Sequence, residues 1–511
     1  MKVKYISYIT LLAAGMQLAS SCSKSFIEVD PKGTFLEDNY YRNQQEAFNG
    51  LVAVYDIVGW QSSGYITKIG ALNAASDDNF AGGGGPNDVS DFQVFSNYTL
   101  TPATGPQSEL WRKGYSGVFR ANILLQKMPG VNMDDNLKKR YIAEAKFLRA
   151  YFYFDLVRLF KSIPLFTVPV KMGEETSVTQ ALPADVYKLI EQDLKDAFTD
   201  LPARIDIKVD GGRATKAAAQ ALLGKVYLQQ KKYPQAITEL AAVNGTPGGE
   251  SQYGNKLLTN YADLFLINNK FNAESIFELV YTNTSVGSWG CVACTEGNVL
   301  GVMVGPRNYN RKDQSAPDYV SGWSFLPVTE DLFNAMQGDP RLPATIANLK
   351  ALEAAGKVTY EKGYMNTGYF MEKFAGRESY KWTGSGNWEL NFPRNMYDMR
   401  LADTYLLEAE ALILGGGDLG RAAALINAVR DRAYGDNLHH VAATMENLKK
   451  ERRLELAGEG HRWLDLVRWG DAATVLGGRG FQAGKHEILP IPLLEMENTK
   501  LEQTKEWGGT K

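Results

Sequence analysis

Apolar residues recur at three- and four-residue steps through much of the chain, and the longest such run spans 137–160. There Tyr141, Ala145, Leu148, Phe152, Leu156 and Leu159 share one side, and Ile163-Pro164 follows. That spacing predicts an amphipathic helix closed by proline. The same period marks 43–59 and 108–128, the latter setting Leu110, Tyr115, Val118, Ala121 and Leu125 together. Pro183 opens another helix reaching about residue 200, since proline suits a first helical turn. Residues 213–230 and 234–243 read as a pair around Tyr233-Pro234, with Ala217, Ala218, Ala221 and Gly224 at the crossing. Later pairs are 397–414 with 418–433, split by Gly415-Gly416-Gly417, and 444–458 with 460–474. Paired helices with small residues at the crossing predict a tetratricopeptide-like scaffold, although a clean repeat of about 34 residues is absent.

Between 245 and 395 the helical period lapses. This stretch is rich in Gly, Asn, Tyr and Trp, and short apolar runs such as Ser275 to Tyr281 predict strands. A loop-heavy segment this long is either functional or disordered, and its aromatic content argues against disorder. The expected fold is therefore mostly α-helical. Helix pairs at 44–244 and 396–511 carry a large, irregular, loop-rich binding region at 245–395, all in one domain.

The N-terminus reads as an export signal. Lys2 and Lys4 precede a mostly apolar stretch from Tyr5 to Leu18, and Ala19, Ser20 and Ser21 lead to Cys22. The apolar run is too short to span a bilayer, so 1–21 is a signal peptide. The small residues before Cys22 match a bacterial lipobox loosely, and its thiol is expected to be acylated; ordinary secretion with a free thiol is the alternative. Residues 22–43, punctuated by Pro31 and Gly33, form a tether. In an exported protein, Cys291 and Cys294 are expected to close a local disulfide among glycines. A net charge of −3 gives no electrostatic reason to expect nucleic acid.

Three stretches carry a resemblance. ERRLELAGEGHRWLDLVRWG begins at Glu451 and ILPIPLLEMENTKLEQ ends at Gln503; AEAKFLRAYFYFDLVRLFKSIPL and FIEVDPKGTF stand earlier. Together they resemble the SusD/RagB family of Bacteroidetes outer-membrane nutrient-binding lipoproteins. The resemblance implies a cell-surface protein, lipid-anchored through Cys22, that captures an oligosaccharide without catalysis. It also implies a SusC-like TonB-dependent transporter as partner. Peptide capture, as in RagB-like members, is the nearest alternative, and a surface glycosidase is the alternative of another class.

Candidate chemistry follows. Flat indoles bury the C–H face of a pyranose at little entropic cost. Trp60, Trp289, Trp323, Trp382 and Trp388 lie in Gly- or Ser-rich surroundings, whereas Trp111, Trp463, Trp469 and Trp507 lie in helical or C-terminal motif segments. Trp289 and Trp323 are the preferred pair, with Arg307, Asn308 and Tyr309 as polar helpers, although any loop indole can equally pack a satellite core. Asp77, Asp78 and Asn79 stand before a run of glycines, where carboxylates accept sugar hydroxyls or bind calcium. No other cofactor is expected. Glu455 and Glu459, four apart, could be cast as an acid/base pair, but Arg452, Arg453 and Arg462 around them favour ion pairing.

Overall fold

The computed structural model describes residues 40–60, 64–171, 173–284, 287–497 and 499–511. The signal peptide, Cys22 and the tether up to residue 39 lie outside the described residues. The longer helices are α1 (Gln44–Gly59), α2 (Lys68–Ala75), α3 (Ser90–Ser96) and α4 (Gln107–Lys127). After them come α5 (Asp135–Phe160), α6 (Pro183–Asp200), α7 (Lys216–Gln229) and α8 (Tyr233–Asn244). The C-terminal part adds α9 (Leu401–Leu414), α10 (Leu419–Tyr434), α11 (Met445–Leu456) and α12 (Arg462–Trp469).

From α4 to α10 each helix packs on the next, giving a continuous stack of pairs. Side chains Asp134 and Thr215 cap α5 and α7 by accepting backbone N–H bonds. Close approach needs glycine at two crossings: a Cβ on Gly117 would sit 2.3 Å from the Phe152 ring, and one on Gly224 would sit 2.6 Å from Leu240. Helix α5 is enclosed on most sides, which explains why its apolar residues exceed one face. Among the described residues, no helix is long and apolar enough to cross a membrane.

Two boundaries differ from expectation. Residues 396–400 are not the start of a helix but strand β6 (Met396–Arg400), antiparallel to β1 (Ser275–Leu279). Extended backbone at Arg400 then starts α9. Helix α12 stops at Trp469, because Gly470 takes a left-handed φ of 78°. The region 245–395 hangs between α8 and α9. It is ordered by short helical turns and two further antiparallel ladders, β2 (Arg307–Arg311) with β4 (Val358–Glu361) and β3 (Ile346–Asn348) with β5 (Tyr369–Met371).

A buried ionic lattice joins this region to the helices. Glu455 accepts from Arg341 at 2.8 Å and Arg400 at 2.5 Å, and also from Arg432. Glu459 accepts from Arg400 and, at 2.8 Å, from Lys373. Glu451 binds Arg341 and Arg430, while Glu274 binds Arg400 and Arg432. Arg341, Lys373 and Glu274 come from the inserted region, so the charged C-terminal motif is the clamp that holds it. On the opposite side, Arg452 bridges Asp403 and Asp465, and Arg468 bridges Glu410 and Asp465.

Burial raises a carboxylate's pKa, yet here opposite charges win. Glu459 falls from an ordinary 4.5 to about 2 under Arg400 and Lys373, and Asp398 falls from 3.8 to about 2 under Lys68 and Lys225. Groups with depressed folded pKa values stabilise fully above their unfolded values and lose that contribution as pH falls towards the folded ones. Urea midpoints should therefore be level from pH 7 to about 5 and drop steeply between about pH 4.5 and 2. A midpoint independent of pH down to 2.5 would contradict this linkage.

Candidate functional site

Tyr65, Trp289 and Trp323 come together from three separate segments. Ring centroids are 5.9 Å apart for Tyr65 and Trp289, 6.1 Å for Tyr65 and Trp323, and 5.8 Å for Trp289 and Trp323. Tyr65 and Trp289 are nearly parallel, at 16° between planes, and Trp323 tilts 31° and 37° from them. Tyr65 is 48% exposed and Trp289 37%, with Trp323 partly buried beside them. Large aromatic faces left open to water cost free energy unless something covers them, which makes the trio the candidate binding surface.

Each ring has a distinct support. Trp323 lies on a run held against 302–306: its N–H donates to the Val302 carbonyl at 2.9 Å, and Ser324 and Phe325 donate to Gly305 and Met303. Gly322 permits this approach, since a Cβ there would lie 2.4 Å from the Gly305 Cα. Trp289 sits in a tight loop where Cys291 and Cys294 are disulfide-bonded, their sulfurs 1.96 Å apart. Asn387 fastens that loop, its Oδ1 accepting from Trp289 N–H at 3.2 Å and its N–H donating to Gly287 at 2.8 Å. Tyr65 is carried between α1 and α2.

A polar rim adjoins Trp323. Arg307 N–H donates to the Ser324 hydroxyl at 3.1 Å, and its guanidinium reaches Asp88 at 3.1 Å. This pair stays roughly one-third exposed, and Gly84 lies close against the guanidinium. The surface thus offers apolar faces for stacking and charged groups for hydroxyls. Tyr65 and Asp88 were not among the expected residues; the Ser- and Gly-rich stretch before Tyr65 was its only local signal.

Other expected ligand residues serve elsewhere. Asp77 accepts two bonds from Arg462 at 2.8 Å, and Asp78 accepts from Arg453 at 2.8 Å. Guanidiniums hold Asp77 below the usual range, while burial pushes Asp78 up. Asn79 is fully buried and donates to the Leu326 carbonyl at 2.9 Å. Asp77 and Asp78 thus dock the segment after α2 onto α12 and α11, and Asn79 docks it onto the inserted region; Asp78 Oδ2 and Asn79 Oδ1 accept no hydrogen bond among the described residues but are buried. Among the described residues, no group of three or more His, Cys, Asp or Glu could hold a metal ion. Tyr309 donates to the Pro317 carbonyl and packs edge-on against Tyr319, as a satellite core residue. Asn308 faces Glu361 across the β2–β4 ladder. Trp60 lies between Arg112 and Arg120, Trp382 donates to Ser385, and Trp388 is covered by Lys381.

Similarity to known proteins extends over most of the chain. The sequence profile of the SusD family matches residues 273–507, and that described as "Starch-binding associating with outer membrane" matches 35–228. A solved "Laminarin binding SusD-like protein" is 50% identical with a TM-score of 0.88, covering 91% of this chain and 99% of that one. Surface glycan-binding protein A from Bacteroides thetaiotaomicron, solved with laminarihexaose, is 26% identical with a TM-score of 0.79, covering 89% and 97%. A SusD-like protein from Bacteroides ovatus is 25% identical over 92% of this chain and 83% of its own.

Proposed function

The chain belongs to the SusD family, and from that premise we propose that it captures a glycan at the outer-membrane surface without cleaving it. The observation that carries this reading is the exposed trio of Tyr65, Trp289 and Trp323. The glycan proposed is a laminarin-type β-glucan, because the relative sharing half its residues is named for laminarin. The near-equilateral spacing of the three rings supports a chain that curves over the patch, whereas a flat ribbon is best met by a row. Acylation of Cys22 would tether the protein, since acyl chains add ~0.8 kcal/mol per buried methylene. Delivery to a SusC-like TonB-dependent transporter completes the proposed role.

The state of the candidate acids supports binding without cleavage. Glu455 and Glu459 are buried and held ionised by arginines, so neither can protonate a leaving group. At the rim, Asp88 is paired with Arg307, and Glu361 accepts from Asn308.

The test is calorimetry on protein lacking residues 1–22 with laminarihexaose, cellohexaose, maltohexaose and a neutral hexapeptide. A reducing-end assay on the same samples reports cleavage. Binding of laminarihexaose in preference to the others, with no new reducing ends, is expected. Binding of the peptide alone, or release of reducing ends, would overturn the reading.

A further inference from the structure

We infer that Lys113 of α4 is a positioning residue that fixes Tyr65 in the aromatic trio; the inference rests on the trio being the glycan platform. Lys113 is 4% exposed, and its Nζ donates to the Trp60 carbonyl at 2.7 Å and the Ile66 carbonyl at 2.6 Å. Those two carbonyls flank the segment that carries Tyr65, so one ammonium ties both ends together. The Trp60 end is held further. Guanidinium carbons of Arg112 and Arg120 lie 5.3 Å from the Trp60 ring, and the Tyr281 hydroxyl donates to the Gly59 carbonyl at 2.6 Å. Helix α4 thereby supplies three cations to one short connection.

An ammonium in this position is costly to bury. Burial draws its pKa from 10.5 down to about 8, so at neutral pH a charged amine occupies a site that disfavours charge. What it returns includes charge-assisted bonds to the Trp60 and Ile66 oxygens, roughly twice the strength of neutral ones. Holding a recognition loop in its bound shape raises affinity by removing the cost of ordering it.

The experiment compares wild type with Lys113→Met, Lys113→Arg and Tyr65→Ala. It uses laminarihexaose calorimetry, the near-ultraviolet circular dichroism of the packed rings, and the thermal midpoint. Lys113→Met is expected to bind about tenfold more weakly, as a lost pre-organising contact of ordinary size would predict. Its near-ultraviolet band should shift as in Tyr65→Ala, while its midpoint moves little, because relief of the buried charge offsets the loss of a donor to the two carbonyls. Lys113→Arg should restore binding to within about threefold, since a guanidinium can donate to both carbonyls. Wild-type binding and an unchanged band in Lys113→Met would overturn the inference. So would weak binding accompanied by a lowered midpoint that arginine does not rescue. Should wild type itself not bind laminarihexaose, the ring spectrum decides: a shifted band supports positioning while the glycan reading falls, and an unshifted band overturns positioning.

Discussion

Replacing Trp289 or Trp323 by alanine should weaken laminarihexaose binding about 30-fold each, as for a central aromatic anchor worth about 2 kcal/mol. The two rings meet at 5.8 Å and share Tyr65 as a neighbour, so the losses should not add. The double variant should fall well short of the product of the single effects. Trp388→Ala is the matched control: its ring is covered by Lys381 and packs edge-on to Phe392, outside the trio. Calorimetry on all four proteins checks this, with thermal midpoints confirming that each is folded. Loss of binding in Trp388→Ala but not in Trp323→Ala would place the sugar elsewhere.

Glu455→Ala should be the most damaging single change to the fold, at about 3–5 kcal/mol. The reason is what it leaves behind. Arg341, Arg400 and Arg432 all donate to this carboxylate, all are buried, and none can reach water when it goes. Domains retain only about 5–15 kcal/mol of net stability, so a loss of this size threatens folding at 37 °C. Because Arg341 and Arg400 bridge to the inserted region, its loops should loosen with the lattice. Glu330 pairs with Lys350 at 3.5 Å on the exposed surface, and Glu330→Ala should cost under about 1 kcal/mol. Urea unfolding of both variants makes the comparison. Equal midpoints would show that the buried lattice is no more than decoration.

Much of the scaffold was legible in the sequence because helical period is a local property. The steps from Tyr141 to Leu159 needed no partner to be read, and Pro183 marked a helix start within itself. Residues 396–400 misled, because their apolar spacing is shared by strand and helix, and pairing with 275–279 decides between them. The candidate site was less legible. Gly- and Ser-rich surroundings singled out Trp60, Trp289, Trp323, Trp382 and Trp388 alike, and nothing local distinguishes an exposed ring from a covered one such as Trp388. Asp77 and Asp78 show the limit most clearly. Next to glycines they read as open ligands, but the arginine that binds Asp78 lies 375 residues further along the chain. The C-terminal charges posed the reverse case: their density indicated pairing, while the partners Arg341 and Lys373 sat in the region that looked least regular.

Whether Tyr65, Trp289 and Trp323 hold the glycan is decided by a crystal structure of the protein soaked with laminarihexaose. Pyranose rings are expected on these three side chains, with hydroxyls reaching the Arg307–Asp88 pair. Density for the sugar only in another cleft, such as the one lined by Tyr380, Arg394 and Tyr434, would contradict that placement.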